Sequence, residues 1–212
     1  MISVVLPSRE RPQLAKEAIE SFGGHKGFEF IVAIDDDDTS DYSEVKKIAK
    51  VLVMPRAGYR HLEKYMNAMA KVSKGDWIMN FNDDAKLESS PEDLYDTVDE
   101  FAHTQPIVLN PWKELDNLFP IISRKFYEIV GHFSLNTHVD SWVQEVSEHT
   151  GTQYYIPGIK INHFRDTLSD TTHEDSQRTA FESSAEYSSE PMVALRQVDI
   201  NKIKEWIDED NN

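Results

Sequence analysis

The sequence predicts an α/β fold with a mostly parallel central sheet flanked by helices. Three observations predict it. Short runs rich in β-branched residues alternate with segments of helical periodicity through the first half of the chain. The opening run, Ile2 to Leu6, is apolar throughout, as in a strand covered on both faces. Three polar clusters, Pro7-Ser8, Asp35 to Asp38 and Asn82 to Asp84, directly follow such runs. That is the carboxyl edge at which open α/β sheets bind ligands.

Each element follows from its own residues. Arg11 to Phe22 reads as a helix, with Leu14, Ala18, Ile19 and Phe22 on one face, Pro12 in the first turn and Gly23-Gly24 as the stop. Phe28 to Ile34 is a second strand, running into Asp35-Asp36-Asp37-Asp38. A short helix from Tyr42 to about Lys50 leads to a strand from Val51 to Met54. Arg60 to Val72 is helical and carries Leu62, Tyr65, Met66 and Met69 before Gly75 breaks it. Trp77 to Phe81 is the strand that ends on Asn82-Asp83-Asp84.

The second half is less regular. It reads as helices over Pro91 to Ala102, Ser123 to Val130 and Val139 to His149, with Ser123 as a cap and Gly131 and Gly151 as stops. Short strands fall at Ile107 to Leu109 and Phe119 to Ile122, and a further strand at Tyr154 to Ile161 runs into Asn162-His163. Arg165 to about Glu190 is polar and reads as a mobile loop with some helix, its segment Arg165 to Ser176 being a candidate lid. Val198 to Ile207 reads as a closing amphipathic helix. There is no internal repeat and no clear linker. The chain therefore reads as one domain, with a nucleotide-binding half at 1–90, an acceptor half at 91–180 and a helical tail at 181–212.

Composition narrows the function. The 212 residues, 39% of them hydrophobic, suffice for one sizeable core. There is no cysteine, which excludes disulfides and thiolate metal sites. The start lacks a signal-peptide pattern and no apolar run spans a bilayer, so a soluble, cytoplasmic protein is expected. The 38 acidic residues against 22 basic give a formal charge of −16, which disfavours nonspecific nucleic-acid binding.

The acidic clusters carry the chemistry. Asn82-Asp83-Asp84 reads either as a turn or as a set of hard oxygen ligands for Mg²⁺ or Mn²⁺. Asp35 to Asp38 places four like charges side by side, which requires a counter-cation or full solvation. The stretch DDDDTSDY lacks the Gly and terminal Glu of an EF-hand loop.

The stretches SVVLPSRERPQLAKEAIESF, FEFIVAIDDDDTSD and YMNAMAKVSKGDWIMNFNDDAKL, in that order, resemble the nucleotide-sugar-binding half of a GT-A glycosyltransferase, closest to family 2. The resemblance implies the GT-A fold, a Rossmann-like nucleotide-diphospho-sugar transferase architecture. It implies transfer of a sugar from a nucleotide-diphosphate donor, a UDP-sugar, to an acceptor hydroxyl with inversion, assisted by Mn²⁺ or Mg²⁺. Asn82-Asp83-Asp84 then stands in the place of the family's DXD motif, with Asn82 where an Asp is usual. Asp84 is the metal ligand, and Asp83 either ligates or contacts the ribose. Asp35 or Asp36 contacts the base or ribose. Pro7 and Ser8 hold the uracil or ribose, and Arg9 or Arg11 faces the diphosphate. Arg60 or Lys64 supplies charge to the nucleotide. Asn67 matches an Asn of the family, one turn from Lys64, a step that lets both face one cleft.

In the second half, GHFSLNTHVDSWVQEVSEHTG resembles the family segment that leads to a general base at a helix start. It implies Asp140 as the base, with Glu145 as the second candidate. His163, in IKINHF, matches a further metal ligand, while His173, in DTTHEDS, could touch phosphate from the loop. Trp112, Phe119 and Trp142 line a sugar cleft or pack the core. Two rival readings are a nucleotidyltransferase, against which the Gly-free PSRERPQ counts, and a non-catalytic nucleotide-sugar-binding module.

Overall fold

The computed structural model describes residues 1–101, 105–164 and 171–210, without the side chains of 171–177 and 180. In chain order the elements are β1 (Ile2–Pro7), α1 (Pro12–Glu20), β2 (Phe28–Asp35), β3 (Lys50–Met54), α2 (Leu62–Val72), β4 (Trp77–Asn80), β5 (Ala85–Leu87), α3 (Pro91–Asp99), β6 (Val108–Asn110), β7 (Ile121–Ser123), α4 (Arg124–Val130), α5 (Val139–Thr150), β8 (Gln153–Tyr155), β9 (Ile161–His163), α6 (Thr171–Tyr187) and α7 (Glu190–Asp210). Single 3₁₀ turns lie at Val45–Lys47 and Tyr59–His61.

β1 is buried from Ile2 to Leu6 because it lies between two parallel neighbours, β2 and β4. The seven-stranded sheet has the order β3-β2-β1-β4-β7-β6-β8. β7 runs antiparallel to both its neighbours, and β8 pairs parallel with β6. Side chains alternate between two covered faces, as the pleat dictates. Val4, Leu6, Val32 and Met79 join α1 and α3 in one core layer. Val5, Ile31 and Ile78 join α2, α4, α5 and α7 in the other. Gly75 is required by close approach: a Cβ there would lie 2.6 Å from Ser3 Oγ and 2.7 Å from the Met1 carbonyl.

Four segments differ from the sequence reading. Tyr42 to Lys50 forms only the turn at Val45–Lys47, because Tyr42 and Val45 are buried as single anchors and the strand already starts at Lys50. Tyr154 to Ile161 is two strands, not one, interrupted where Gly158 adopts φ +95°. β8 stays in the main sheet, while β9 leaves it to pair with β5, a strand that three residues were too few to announce. Much of the polar stretch from Arg165 to Glu190 is helix α6, and residues 165–170 lie outside the described residues. The closing helix is longer than Val198 to Ile207, because its buried face includes Arg196 and Asp199 as well as Ile200 and Ile203. No helix among the described residues is long and apolar enough to cross a membrane.

Candidate active site

The carboxyl ends of β1 and β2 open into a cleft whose walls include Pro7, Ser8, Arg9, Asp35, Tyr59 and Tyr65. Asp35 is 5% exposed and its two oxygens are both engaged. Arg9 Nη1 donates to Oδ2 at 2.8 Å, and the Tyr65 hydroxyl donates to Oδ1. The same hydroxyl accepts the backbone N–H of Ala57 at 2.7 Å and of Gly58 at 3.1 Å. Tyr65 thus ties the floor of the cleft to the loop that forms its wall. The sequence places Tyr65 on a helix and assigns it no role. Its polar tip among Leu62, Met66 and Met69 was the signal, since a buried hydroxyl needs a partner.

The four consecutive aspartates are balanced by cations and backbone donors. Arg9 bridges Asp35 and Asp37, and Arg56 reaches Asp37 at 3.0 Å. The hydrogen bond from Arg9 holds the exposed Asp37 carboxyl below its usual range. Asp36 is exposed and accepts the N–H of Arg56 at 3.2 Å. Asp38 accepts the N–H of Glu10 at 2.8 Å, where Glu10 sits at φ 59°.

Asp83 and Asp84 have different surroundings. Asp83 accepts from Ser8 Oγ at 2.8 Å and from Arg11 Nη1 at 3.3 Å, and all three residues are buried. Burial pushes the Asp83 carboxyl up to about 7, against the opposing pull of Arg11 and Ser8. This arrangement fastens the Asn82-Asp83-Asp84 turn to the end of β1.

Asp84 instead meets His163. β5 and β9 pair antiparallel with Ala85 opposite His163, and the N–H of Phe164 donates to the Asp84 carbonyl at 2.8 Å. His163 Nε2 consequently lies 3.1 Å from Asp84 Oδ1 and 3.2 Å from Asn82 Nδ2. The imidazole and carboxylate side chains are 9% and 11% exposed. The ring is held edge-on by Phe119 at 5.4 Å and Trp112 at 6.4 Å. The pair fits a divalent cation. Neighbouring ligands on an octahedral Mg²⁺-sized ion with bonds of about 2.1 Å stand about 3 Å apart. The carboxylate oxygen suits Mn²⁺ or Mg²⁺, and the imidazole nitrogen favours Mn²⁺ of the two. Among the described residues no third His, Asp or Glu completes a cluster. A cation held by two side chains keeps positions for other oxygen ligands.

Asp140 lies in the first turn of α5 and is half-buried. Burial pushes its carboxyl up; Asp116 adds to the shift, while the N–H of Ser141 and His138 oppose it. α5 also holds the segment before β7, since Gln144 Oε1 accepts the N–H of Asn117 at 3.1 Å. The same segment carries Trp112 and Phe119, whose rings pack against His163. Glu145, the second candidate base, is occupied. Its Oε2 accepts the Tyr187 hydroxyl at 2.8 Å and forms an ion pair with Arg196, whose Nε lies 2.9 Å away but is not aligned to donate. Trp142 is core, with Nε1 donating to Asp199.

The remaining candidates scatter. Arg60 is exposed and pairs with Glu186 at 3.3 Å, and Lys64 is exposed. Asn67 accepts the N–H of Phe133 at 2.7 Å and donates to the Ser134 carbonyl at 2.8 Å, fixing the loop that leads to α5. Lys64 and Asn67 therefore do not share the cleft, whose lining includes neither. The side chain of His173 and the lid segment at 165–170 lie outside the described residues.

The family described as Glycosyl transferase family 2 matches residues 3–165. No curated protein matches the chain. Among solved structures, S. aureus TarS, residues 1–349, is 14% identical with a TM-score of 0.59, and the match covers 98% of this chain and 82% of that one. The mannosyltransferase PcManGT from Pyrobaculum calidifontis, in complex with GDP-Man and Mn²⁺, is 12% identical with a TM-score of 0.57, covering 93% and 78%. Glucosyl-3-phosphoglycerate synthase from Mycobacterium tuberculosis, in complex with Mn²⁺, UDP and phosphoglyceric acid, is 14% identical with a TM-score of 0.53, covering 86% and 78%. At these identities the structural likeness is one of fold, and the fold is the GT-A architecture expected from the sequence.

Proposed function

The chain belongs to glycosyl transferase family 2 and is a glycosyltransferase, and we propose that it moves a sugar from a UDP-sugar to an acceptor hydroxyl with inversion, using Mn²⁺ or Mg²⁺. The observation that carries this reading is the pairing of Asp84 with His163 at 3.1 Å beyond the end of β4, the strand beside β1, in a turn that Ser8 of the cleft wall holds through Asp83. UDP as the nucleotide is supported by S. aureus TarS, solved with UDP, and by the mycobacterial synthase; GDP is the alternative that the mannosyltransferase offers.

In this reading residues 1–90 bind the nucleotide, 91–180 serve the acceptor, and 181–212 form a tail. Asp35, with Pro7, Ser8 and Arg9, receives the nucleoside in the cleft. Arg11 acts through Asp83, holding the acidic turn rather than the diphosphate. Asp84 and His163 would hold the divalent cation, and Asn82, whose Nδ2 faces the same Nε2, would give up that contact when the cation is bound. When bound, that cation neutralises the charge that grows on the departing diphosphate. Asp140 takes the proton from the acceptor hydroxyl as its oxygen attacks the anomeric carbon. Attack opposite the leaving diphosphate inverts the anomeric centre. The raised affinity of Asp140 for a proton makes it a stronger base than a solvated carboxylate.

Incubation with UDP-sugars and Mn²⁺, following UDP release, tests this. The expected result is release that requires the cation and is lost in Asp140→Asn while UDP binding persists. Undiminished release from Asp140→Asn would remove Asp140 from the mechanism.

A further inference from the structure

The family match ends at residue 165, yet helices α6 and α7, beyond it, grip the helix that carries Asp140. Arg196, on α7, is 3% exposed. Its Nε lies 2.9 Å from Glu145 Oε2, and its Nη1 donates to the Tyr187 carbonyl at 2.8 Å. The guanidinium stacks over the Tyr187 ring at 4.0 Å and lies 5.5 Å from the Trp142 ring. The Tyr187 hydroxyl donates to the same Glu145 oxygen at 2.8 Å. One turn further along α7, buried Asp199 accepts Trp142 Nε1 at 3.0 Å and lies 3.3 Å from His132 Nε2. Trp142 and Glu145 both fall within two turns of Asp140 on α5.

A purely mechanical clamp between helices would be cheaper with an apolar side chain in place of Arg196, because burying a guanidinium costs desolvation. What the pair with Glu145 supplies instead is neutralisation of a carboxylate on the helix of the base. Resting on the reading of Asp140 as that base, we propose that Arg196 and Tyr187 are positioning residues. Acting through Glu145, they fix α5 against the C-terminal helices and balance the Glu145 charge, which Tyr187 feels together with that of Asp140. The charged or titratable groups that act on Asp140 are His138 on its own helix end and Asp116 on the segment before β7; Glu186 on α6 acts on His138.

The test measures kcat against pH for UDP release from a UDP-sugar in the full chain. Arg196→Gln leaves Glu145 without its cation, and an added negative charge disfavours ionisation of Asp140. The acidic limb of kcat should move up by about half a pH unit and kcat should fall about tenfold, with KM for the donor unchanged within about twofold. Glu145→Gln combined with Arg196→Gln removes both charges and should return the limb to its original position. Glu145→Gln alone, at a half-buried side chain, leaves the Arg196 charge uncompensated and should move the limb downward, which reads the coupling if Arg196→Gln does not fold. An unmoved limb in the folded variants, with Asp140→Asn inactive, overturns the inference alone. Asp140→Asn turning over at the original rate overturns the base assignment and the inference with it.

Discussion

His163 Nε2 stands 3.1 Å from Asp84 Oδ1, although 79 residues separate them in the chain. The backbone, not the side chains, closes that distance, since β5 and β9 pair with Ala85 opposite His163. The loop after β4 is therefore delivered to the histidine in a fixed register. His163→Ala should leave the ribbon intact and remove one of the two proposed ligands. We expect the Mn²⁺-dependent part of UDP binding to weaken by about tenfold or more, by analogy with the sensitivity of metal sites to their supporting groups, and the metal-independent part to persist. Calorimetric titration with and without Mn²⁺ reads both.

Arg11 and Asp83 make a buried ion pair beneath the same turn. Burial pushes the Asp83 carboxyl up to about 7, so removing Arg11 strands its charge only above that pH. There Arg11→Met should lower unfolding stability by about 3–5 kcal/mol, read by urea denaturation, and the loss should shrink as pH falls and Asp83 takes a proton. A loss comparable to that of an exposed pair, under about 1 kcal/mol, would show that the turn does not depend on this anchor.

Asp140 should give the transfer reaction its acidic limb. Its folded proton affinity is raised, chiefly by burial. The base form is the deprotonated one, so activity should rise with pH and reach its plateau above the ordinary Asp value of about 3.9. Asp116→Asn removes a charge that adds to the shift, and should move the limb to lower pH. Asp140→Asn should cost about 10²–10⁴ in kcat.

Tyr65 holds Asp35 and the Ala57-Gly58 backbone with one hydroxyl. Tyr65→Phe leaves two backbone N–H groups short of their partner and should destabilise the protein by about 1–3 kcal/mol. It should also raise the donor KM several-fold, because Asp35 loses one of its two fixed contacts. Unchanged donor KM would separate Asp35 from nucleoside binding.

Much of the nucleotide-binding half was legible because its signals are local. β-Branched runs ended at polar clusters, and Gly and Pro marked the helix limits. Asp84 and His163 were legible through resemblance to the family, but the ribbon that joins them was not. Three-residue strands leave no periodicity to read. Glu145, Arg196 and Tyr187 illustrate the other limit. Their partners are far apart in sequence, and Arg196 occupies a buried helix face where pattern reasoning expects an apolar residue. Asn67 matched a family position, but nothing local indicated that its amide would face the loop before α5.

The central claim is that Asp84 and His163 hold a divalent cation for a nucleotide diphosphate. The most direct test is the thermal stability of the full chain during UDP titration, with and without Mn²⁺, in the unaltered protein and in Asp84→Ala. Binding to the folded state alone raises stability by mass action. The account predicts a rise with UDP that grows with Mn²⁺ and loses its metal-dependent part in Asp84→Ala. A rise equal with and without Mn²⁺, or one that Asp84→Ala leaves intact, would contradict it.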